Sequence, residues 1–191
     1  MHENYQKNTV ETVYQTKVTP MFKNDYASSR AVYSDESFVY KVFESNRAVD
    51  QFEIFLKYYD GDLKLLDVFK RDESTIFKLN KLPGKSVTDL GKHNISLDLD
   101  TLTKWFKHQV KQIHNTGVRC YKKHSEYVIK PDPWEQGFVY TFVDWHSSNL
   151  IYSVEHNKLC LVDLEPTNWI PRNVWDCIIR DHFTKFIKCF D

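Results

Sequence analysis

The chain has no pair of cysteines close enough to form a CxxC unit. Its four, Cys120, Cys160, Cys177 and Cys189, are scattered through the last 72 residues of 191. Zinc sites usually draw their ligands from such short-spaced pairs, so the expectation is four free thiols, buried and in a reducing compartment. Net charge is also missing: 26 basic residues balance 26 acidic ones. That balance argues against nucleic acid or an anionic membrane as the main partner. No apolar run approaches the roughly 18 residues of a membrane span. The opening MHENYQKNTVETVYQ is polar throughout and lacks the apolar core of a secretory leader, so the expected location is the cytoplasm. There is no internal repeat and no low-complexity stretch. The weight of Lys, Asn and Tyr fits an AT-rich genome such as that of a virus or phage, in which case the compartment is the host cytoplasm.

What the chain does have is aromatic residues, 15% of the total, which predicts an aromatic-rich core. Its length suits one domain, or two small lobes sharing a cleft. Strand signals run from about Val18 to Phe43. Ala31-Val32-Tyr33 and Phe38–Phe43 flank the polar Ser34-Asp35-Glu36-Ser37, which predicts a hairpin. Ser45 or Asn46 suits the N-cap of a helix to about Tyr59, with Val49, Phe52, Leu56 and Tyr59 on one face and Gly61 ending it. Two strands follow, near Leu63–Phe69 and Ser74–Asn80, before Leu82-Pro83-Gly84 punctuates the chain. After Asp98 or Asp100 an amphipathic helix carries Leu102, Trp105, Phe106, Val110 and Ile113. Asn115-Thr116-Gly117 predicts its end. Arg119–Gly137, polar and containing Pro131 and Pro133, reads as a long loop. Strand-like pieces return at Phe138–Val143, Leu150–Ser153 and Leu159–Val162, and the residues from Val174 onward read as a final helix.

Chemistry concentrates in Phe142-Val143-Asp144-Trp145-His146-Ser147-Ser148-Asn149-Leu150-Ile151 and, after a short hairpin, Leu161-Val162-Asp163-Leu164-Glu165. Four residues separate Asp144 from Asn149, and a second apolar run ends in Asp163. This resembles the catalytic loop and metal-binding segment of the protein kinase superfamily. Upstream, Lys41 interrupts the apolar strand FVYKVF, whose alternation puts Val39 and Lys41 on one face and Tyr40 and Val42 on the other.

The resemblance, covering roughly Val18 to Asp163, implies an α+β, kinase-like two-lobed fold. Residues 1–83 would form a lobe with a small antiparallel sheet and one helix, and residues 84–191 a reduced, mainly helical lobe. It implies an ATP-dependent phosphotransferase using Mg²⁺. Asp144 would accept the proton of the attacking hydroxyl, while Asn149 and Asp163 would supply oxygen ligands to the metal. Lys41 would hold the α- and β-phosphates with Glu53 of the following helix as its partner. Residues Phe77–Leu82, including Asn80 and Leu82, would offer backbone groups to adenine. Ser28 and Ser29 would approach the phosphates. His146 would contact the γ-phosphate or pair with Asp144. Asp-Leu-Glu at 163–165 and Leu82-Pro83-Gly84-Lys85-Ser86-Val87 are similar to the aminoglycoside and choline kinase branch, in which Glu165 would also approach a metal.

The sequence departs from the superfamily at several points. No glycine-rich loop stands between the first strands, where Asn24–Ser29 lie instead. Phe142-Val143 replaces the His-Arg that precedes the catalytic Asp in protein kinases. Little chain separates Asp163 from the last helix, which leaves little room for an activation segment or an antibiotic-kinase pocket and favours a protein over a small-molecule acceptor. Arg119–Gly137 would help to shape the acceptor site. Each feature also has a plainer explanation. Asp144 and Asn149 would simply shape a turn, Lys41 would be an edge-strand charge, His146 a surface residue and Glu165 a loop charge or helix cap. A catalytically inactive pseudokinase that binds a partner, and an unrelated α+β domain, are the competing readings.

Overall fold

The computed structural model describes residues 2–22, 29–124, 138–142, 144–164 and 167–191. Residues 2–5, 22, 29, 30, 92, 138, 142, 167 and 168 are described by backbone alone. The chain divides into two units, Met1–Lys57 with Leu63–Lys81, and Tyr58–Asp62 with Leu82–Asp191.

The first unit opens with helix α1 (His2–Tyr14), which the polar sequence did not announce. Strands β1 (Thr19–Phe22), β2 (Ser29–Ser34) and β3 (Phe38–Glu44) follow, then helix α2 (Arg47–Tyr58) and strands β4 (Leu65–Arg71) and β5 (Ser74–Asn80). The five strands form one antiparallel sheet in the order β1-β2-β3-β5-β4. The hairpin at Ser34–Ser37 forms because the Asp35 carboxylate accepts from the backbone N–H of Ser37 and Phe38 at 2.8 and 2.7 Å. Asn46 caps α2 by accepting from Ala48 and Val49, so of the two predicted caps it is the one used.

The period of two along the strands sorts the core into two faces. Ala31, Tyr33, Tyr40, Val42 and Ile76 pack with Val10 of α1 and Val18. On the other face Phe43 and Phe77 meet Phe52 of α2, with ring centroids 4.8 to 6.1 Å apart. Burying each such ring is worth about 1.5–3 kcal/mol, with a further ~1 kcal/mol for well-oriented pairs.

The second unit holds β6 (Lys85–Ser86), the single turn α3 (Val87–Leu90), the long helix α4 (Leu99–Lys123), and β7 (Phe138–Phe142). Strands β8 (Leu150–Ser153), β9 (Lys158–Leu161) and β10 (Thr167–Pro171) and helix α5 (Arg172–Lys188) complete it. A three-stranded sheet runs β6-β8-β9, and β7 pairs with β10. Gly84 enters this sheet at φ 114°, where a Cβ would run into the backbone of Tyr152.

Asp98 caps α4 by accepting from the Thr101 N–H at 2.7 Å. The predicted helix stop at Asn115-Thr116-Gly117 is corrected: α4 continues through it to Lys123, so Arg119–Lys123 are helix rather than loop. The reason is packing. A Cβ on Gly117 would collide with the ring of Tyr140 on β7, so the glycine serves close approach between helix and strand. Residues 125–137, the remainder of the predicted loop, lie outside the described residues. The core between α4 and α5 is aromatic: Phe106 packs on Phe183 and Phe186, and Trp105 stacks on Phe186 at 5.4 Å. Among the described residues no helix is long and apolar enough to cross a membrane.

Candidate active site

In the second unit, Asp144, His146 and Asn149 occupy the connection between β7 and β8. Trp145 anchors that connection. Its indole is buried against Phe106, Phe186 and Trp105, with centroids at 4.7, 5.8 and 6.4 Å. The neighbours on either side are thereby turned outward, and Asp144 and His146 are both exposed.

The turn Ser147–Asn149 then brings the chain back. The Asn149 amide donates through Nδ2 to Asp144 Oδ2 at 2.9 Å, and also reaches the Asp144 carbonyl at 3.3 Å. The carboxylate is thus held by a buried amide while its other oxygen remains available to solvent or a substrate. Asn149 Oδ1 accepts no hydrogen bond among the described residues, leaving one hard oxygen donor unused.

Asp163 arrives by the β8–β9 hairpin. Leu150 pairs with Leu161, and one step further the Val162 N–H donates to the Asn149 carbonyl at 2.9 Å. Asp163 follows at once, half-buried and in the left-handed region at φ 60°. A non-glycine residue at positive φ costs roughly 1 kcal/mol, and Asp and Asn bear that cost better than most. Asp144, Asn149 and Asp163 therefore gather at one end of one hairpin.

This donor set fits Mg²⁺, which takes one or two protein oxygens together with phosphate and water. Among the described residues no group of three or more His, Cys, Asp or Glu stands together as a metal cage. Glu165 lies outside the described residues.

His146 has a structural task in the loop. Its Nδ1 faces the Ser148 hydroxyl at 2.9 Å and accepts from the Ser148 N–H at 3.3 Å, capping the Ser147–Asn149 turn. Thr88 of α3 ties the same turn through the Ser147 hydroxyl at 2.7 Å. At the end of α5 the Cys189 thiol donates weakly to the Trp145 carbonyl at 3.8 Å. Burial, and after it the nearby Asp144 carboxylate, pushes that thiol pKa up. Sequence reasoning missed Trp145, Thr88 and Cys189. The available signal was a lone Trp inside an otherwise polar loop, which marks an anchor.

In the first unit, Lys41 is 7% exposed in the middle of β3, opposite Val32 on one side and Phe77 on the other. It shares its face with Phe43 and Phe77, the face covered by α2. The expected partner Glu53 is on that helix, but its carboxylate is bound to other lysines. One oxygen meets Lys57, four residues on, and the other meets Lys70 of β4 at 2.9 Å. Burial works to raise the Glu53 pKa, and the two lysines overcome it and hold the carboxyl below its usual range. The predicted Lys41–Glu53 pair is thus replaced by a Lys57–Glu53–Lys70 cluster.

The predicted adenine contacts also change. Strand β5 is paired on both sides, so the backbone of Phe77–Asn80 is committed to the sheet. The Asn80 side chain accepts from Lys64 N–H at 2.6 Å, and the Lys81 N–H donates to Ser37. Only the stretch from the Lys81 carbonyl through Leu82 keeps backbone groups outside the ladder. Ser28 lies outside the described residues, and Ser29 is described by backbone alone, at the start of β2.

No protein-family description matches the sequence, and no curated protein matches it. Solved structures do. Monomeric WbdD aligns with a TM-score of 0.54 at 14% identity, over 84% of this chain and 36% of that one. A 2.2 Å structure of WbdD gives 0.56 at 13% identity, over 91% and 37%. WbdD in co-crystal with the kinase inhibitor LY294002 gives 0.52 at 13%, over 87% and 37%. The fold is kinase-like. At such identities the likeness extends to fold alone, and the chain spans little more than a third of the length of the WbdD structures.

Proposed function

We propose that the chain is a small, atypical kinase that transfers the γ-phosphoryl group of ATP to a hydroxyl of a protein or small molecule. The observation that carries this is the hydrogen-bonded Asp144–Asn149 pair, tied through Val162 to an Asp163 in a strained backbone conformation. Strain at a non-glycine position is commonly retained where function requires it. In this role Asp144 accepts the proton of the attacking hydroxyl, which contributes typically 10²–10⁴-fold in rate. Asn149 orients the Asp144 carboxylate through Nδ2 and offers Oδ1 to the metal beside Asp163. Bound Mg²⁺ would neutralise phosphate oxygens. Lys41, nearly buried on β3, would supply the positive charge for the α- and β-phosphates. The sequence Asp163-Leu164-Glu165 favours the aminoglycoside and choline kinase branch.

A second function, a pseudokinase that binds a partner without transferring phosphate, is favoured by one specific observation. Glu53 is held by Lys57 and Lys70 rather than by Lys41. Thermal denaturation with ATP and Mg²⁺ separates the two. At 100 times its dissociation constant a ligand stabilises the native state by roughly 2.7 kcal/mol, about 5–11 °C for a chain of this size. The kinase requires a shift that depends on magnesium and is lost in both Asp163→Ala and Lys41→Ala. A shift without magnesium, or none at millimolar ATP, would favour the pseudokinase.

A further inference from the structure

Most of the exposed cations of α4 lie along one face. Lys104, Lys107, His108, Lys111, Arg119 and Lys122 are all exposed. At 3.6 residues per turn they fall within roughly 60° of one line. That line lies opposite the buried Leu102, Phe106, Val110, Ile113 and Cys120. Lys104 and Lys122 are eighteen residues apart, so the stripe is about 27 Å long. The whole helix contains six Lys or Arg residues and a single acid, Asp100. The chain is neutral in sum, and five of its 26 Lys and Arg residues line this one face.

Among the described residues, carboxylates pair with the stripe at two places. Asp100 pairs with Lys104 at 2.6 Å, and Asp60 lies 3.7 Å from Arg119. Both pairs are exposed, so water and salt weaken them and a phosphate can displace them.

We propose that the outer face of α4 docks on the phosphate backbone of a nucleic acid, without reading its sequence. Three observations favour this occupant. Lysine dominates the stripe, and lysine is depleted from protein–protein interfaces but common on phosphates. The one apolar side chain within the stripe is the half-buried Val118, too small to anchor a protein interface or to enter a lipid layer, while Leu102, Phe106, Val110 and Ile113 are spent in the core. Nor does the stripe carry a Phe, Tyr or Trp ring on which a base would stack, so contact runs chiefly along the backbone. The proposal is independent of the phosphotransferase assignment.

Fluorescence anisotropy with a labelled 20-base-pair duplex in two unrelated sequences tests it. If the five Lys and Arg residues of the stripe each neutralise a phosphate, log K falls against log salt with a slope of about −4.5. Affinity then drops roughly 500-fold between 50 and 200 mM salt, equally for both sequences. The double variant Lys107→Glu/Lys111→Glu, both on the solvent side, should melt like the wild type. It should bind at least tenfold more weakly at 50 mM salt, with a slope shallower by about 2. Arg180→Glu/Lys188→Glu on α5 makes the same change in charge and should leave binding within about twofold. No binding at 50 mM salt, or equal losses in the two double variants, would overturn the proposal. So would tighter binding to polyglutamate or to phosphatidylserine vesicles than to the duplex.

Discussion

Replacing Gly117 by alanine sets two well-calibrated effects against each other. In an unobstructed helix interior, alanine is favoured over glycine by about 0.8–1.0 kcal/mol. At Gly117 the added methyl would overlap the ring of Tyr140. That ring has little room to retreat, since it packs on Trp169 at 4.5 Å and its own backbone N–H is bound to His114 Nδ1 at 3.1 Å. Overpacking a constrained site costs typically 1–3 kcal/mol, so close overlap with a braced ring should exceed the propensity gain by about 1–2 kcal/mol. Urea denaturation should therefore show Gly117→Ala destabilised by that amount, with Tm lower by roughly 2–8 °C. The control is the same substitution in a Tyr140→Ala background. There the obstruction is gone, propensity alone remains, and Gly117→Ala should stabilise by about 0.5–1 kcal/mol. A Gly117→Ala protein as stable as the wild type would refute the steric account of why α4 carries a glycine in its interior.

Asp144→Asn keeps shape and removes the base, so ATP binding should persist while ATP hydrolysis falls by about 10²-fold or more; equal turnover would remove Asp144 from the chemistry. His114 accepts the Tyr140 N–H, and burial first and Arg172 second lower its pKa below 6.5. The folded state therefore resists protonation, and the stability present above pH 6.5 should fall as the pH drops through and below that value, a slope that urea midpoints at pH 7.5 and 5 should show reduced in His114→Asn. Asp35→Ala breaks two backbone contacts and strands the Tyr40 hydroxyl 2.7 Å away, so chemical denaturation should report a loss of about 2–3 kcal/mol. Cys177 is exposed, whereas Cys120 and Cys160 are buried with thiol pKa values pushed up to about 12, mainly by burial. An aromatic disulfide reagent at pH 8 should consume Cys177 quickly and reach Cys120 and Cys160 only on unfolding.

The local rules of the chain were legible where one force dominated. Asp35 and Asn46 are short side chains that satisfy nearby backbone N–H groups, and each sat where the sequence suggested a turn or a cap. Alternation along FVYKVF likewise predicted which residues share a face. Reading failed where a distant partner decided the outcome. Gly117 has the form of a helix stop, and only Tyr140, over twenty residues on, explains why the helix passes through it. Helix α1 is polar and announces nothing, yet Val10 is fully buried by the sheet. Glu53 was matched to Lys41 by resemblance, and Lys57 and Lys70 outcompete that partner by proximity. Total charge hid the basic stripe because a sum over the chain discards position.

The β8–β9 hairpin acts as a caliper with its jaws at Asn149 and Asp163. Four paired positions, from Leu150–Leu161 to Ser153–Lys158, fix the spacing between the jaws. Its handle is the exposed turn Val154–Asn157, at the opposite end of the ladder. Asn157 closes that turn at φ 46° and accepts from the Tyr152 hydroxyl at 2.6 Å. Residues inserted between Glu155 and His156 would therefore lengthen the handle without opening the jaws. A fluorophore or short epitope grafted there would report on the protein from the far side of the hairpin and leave the ends that hold Asn149 and Asp163 in register.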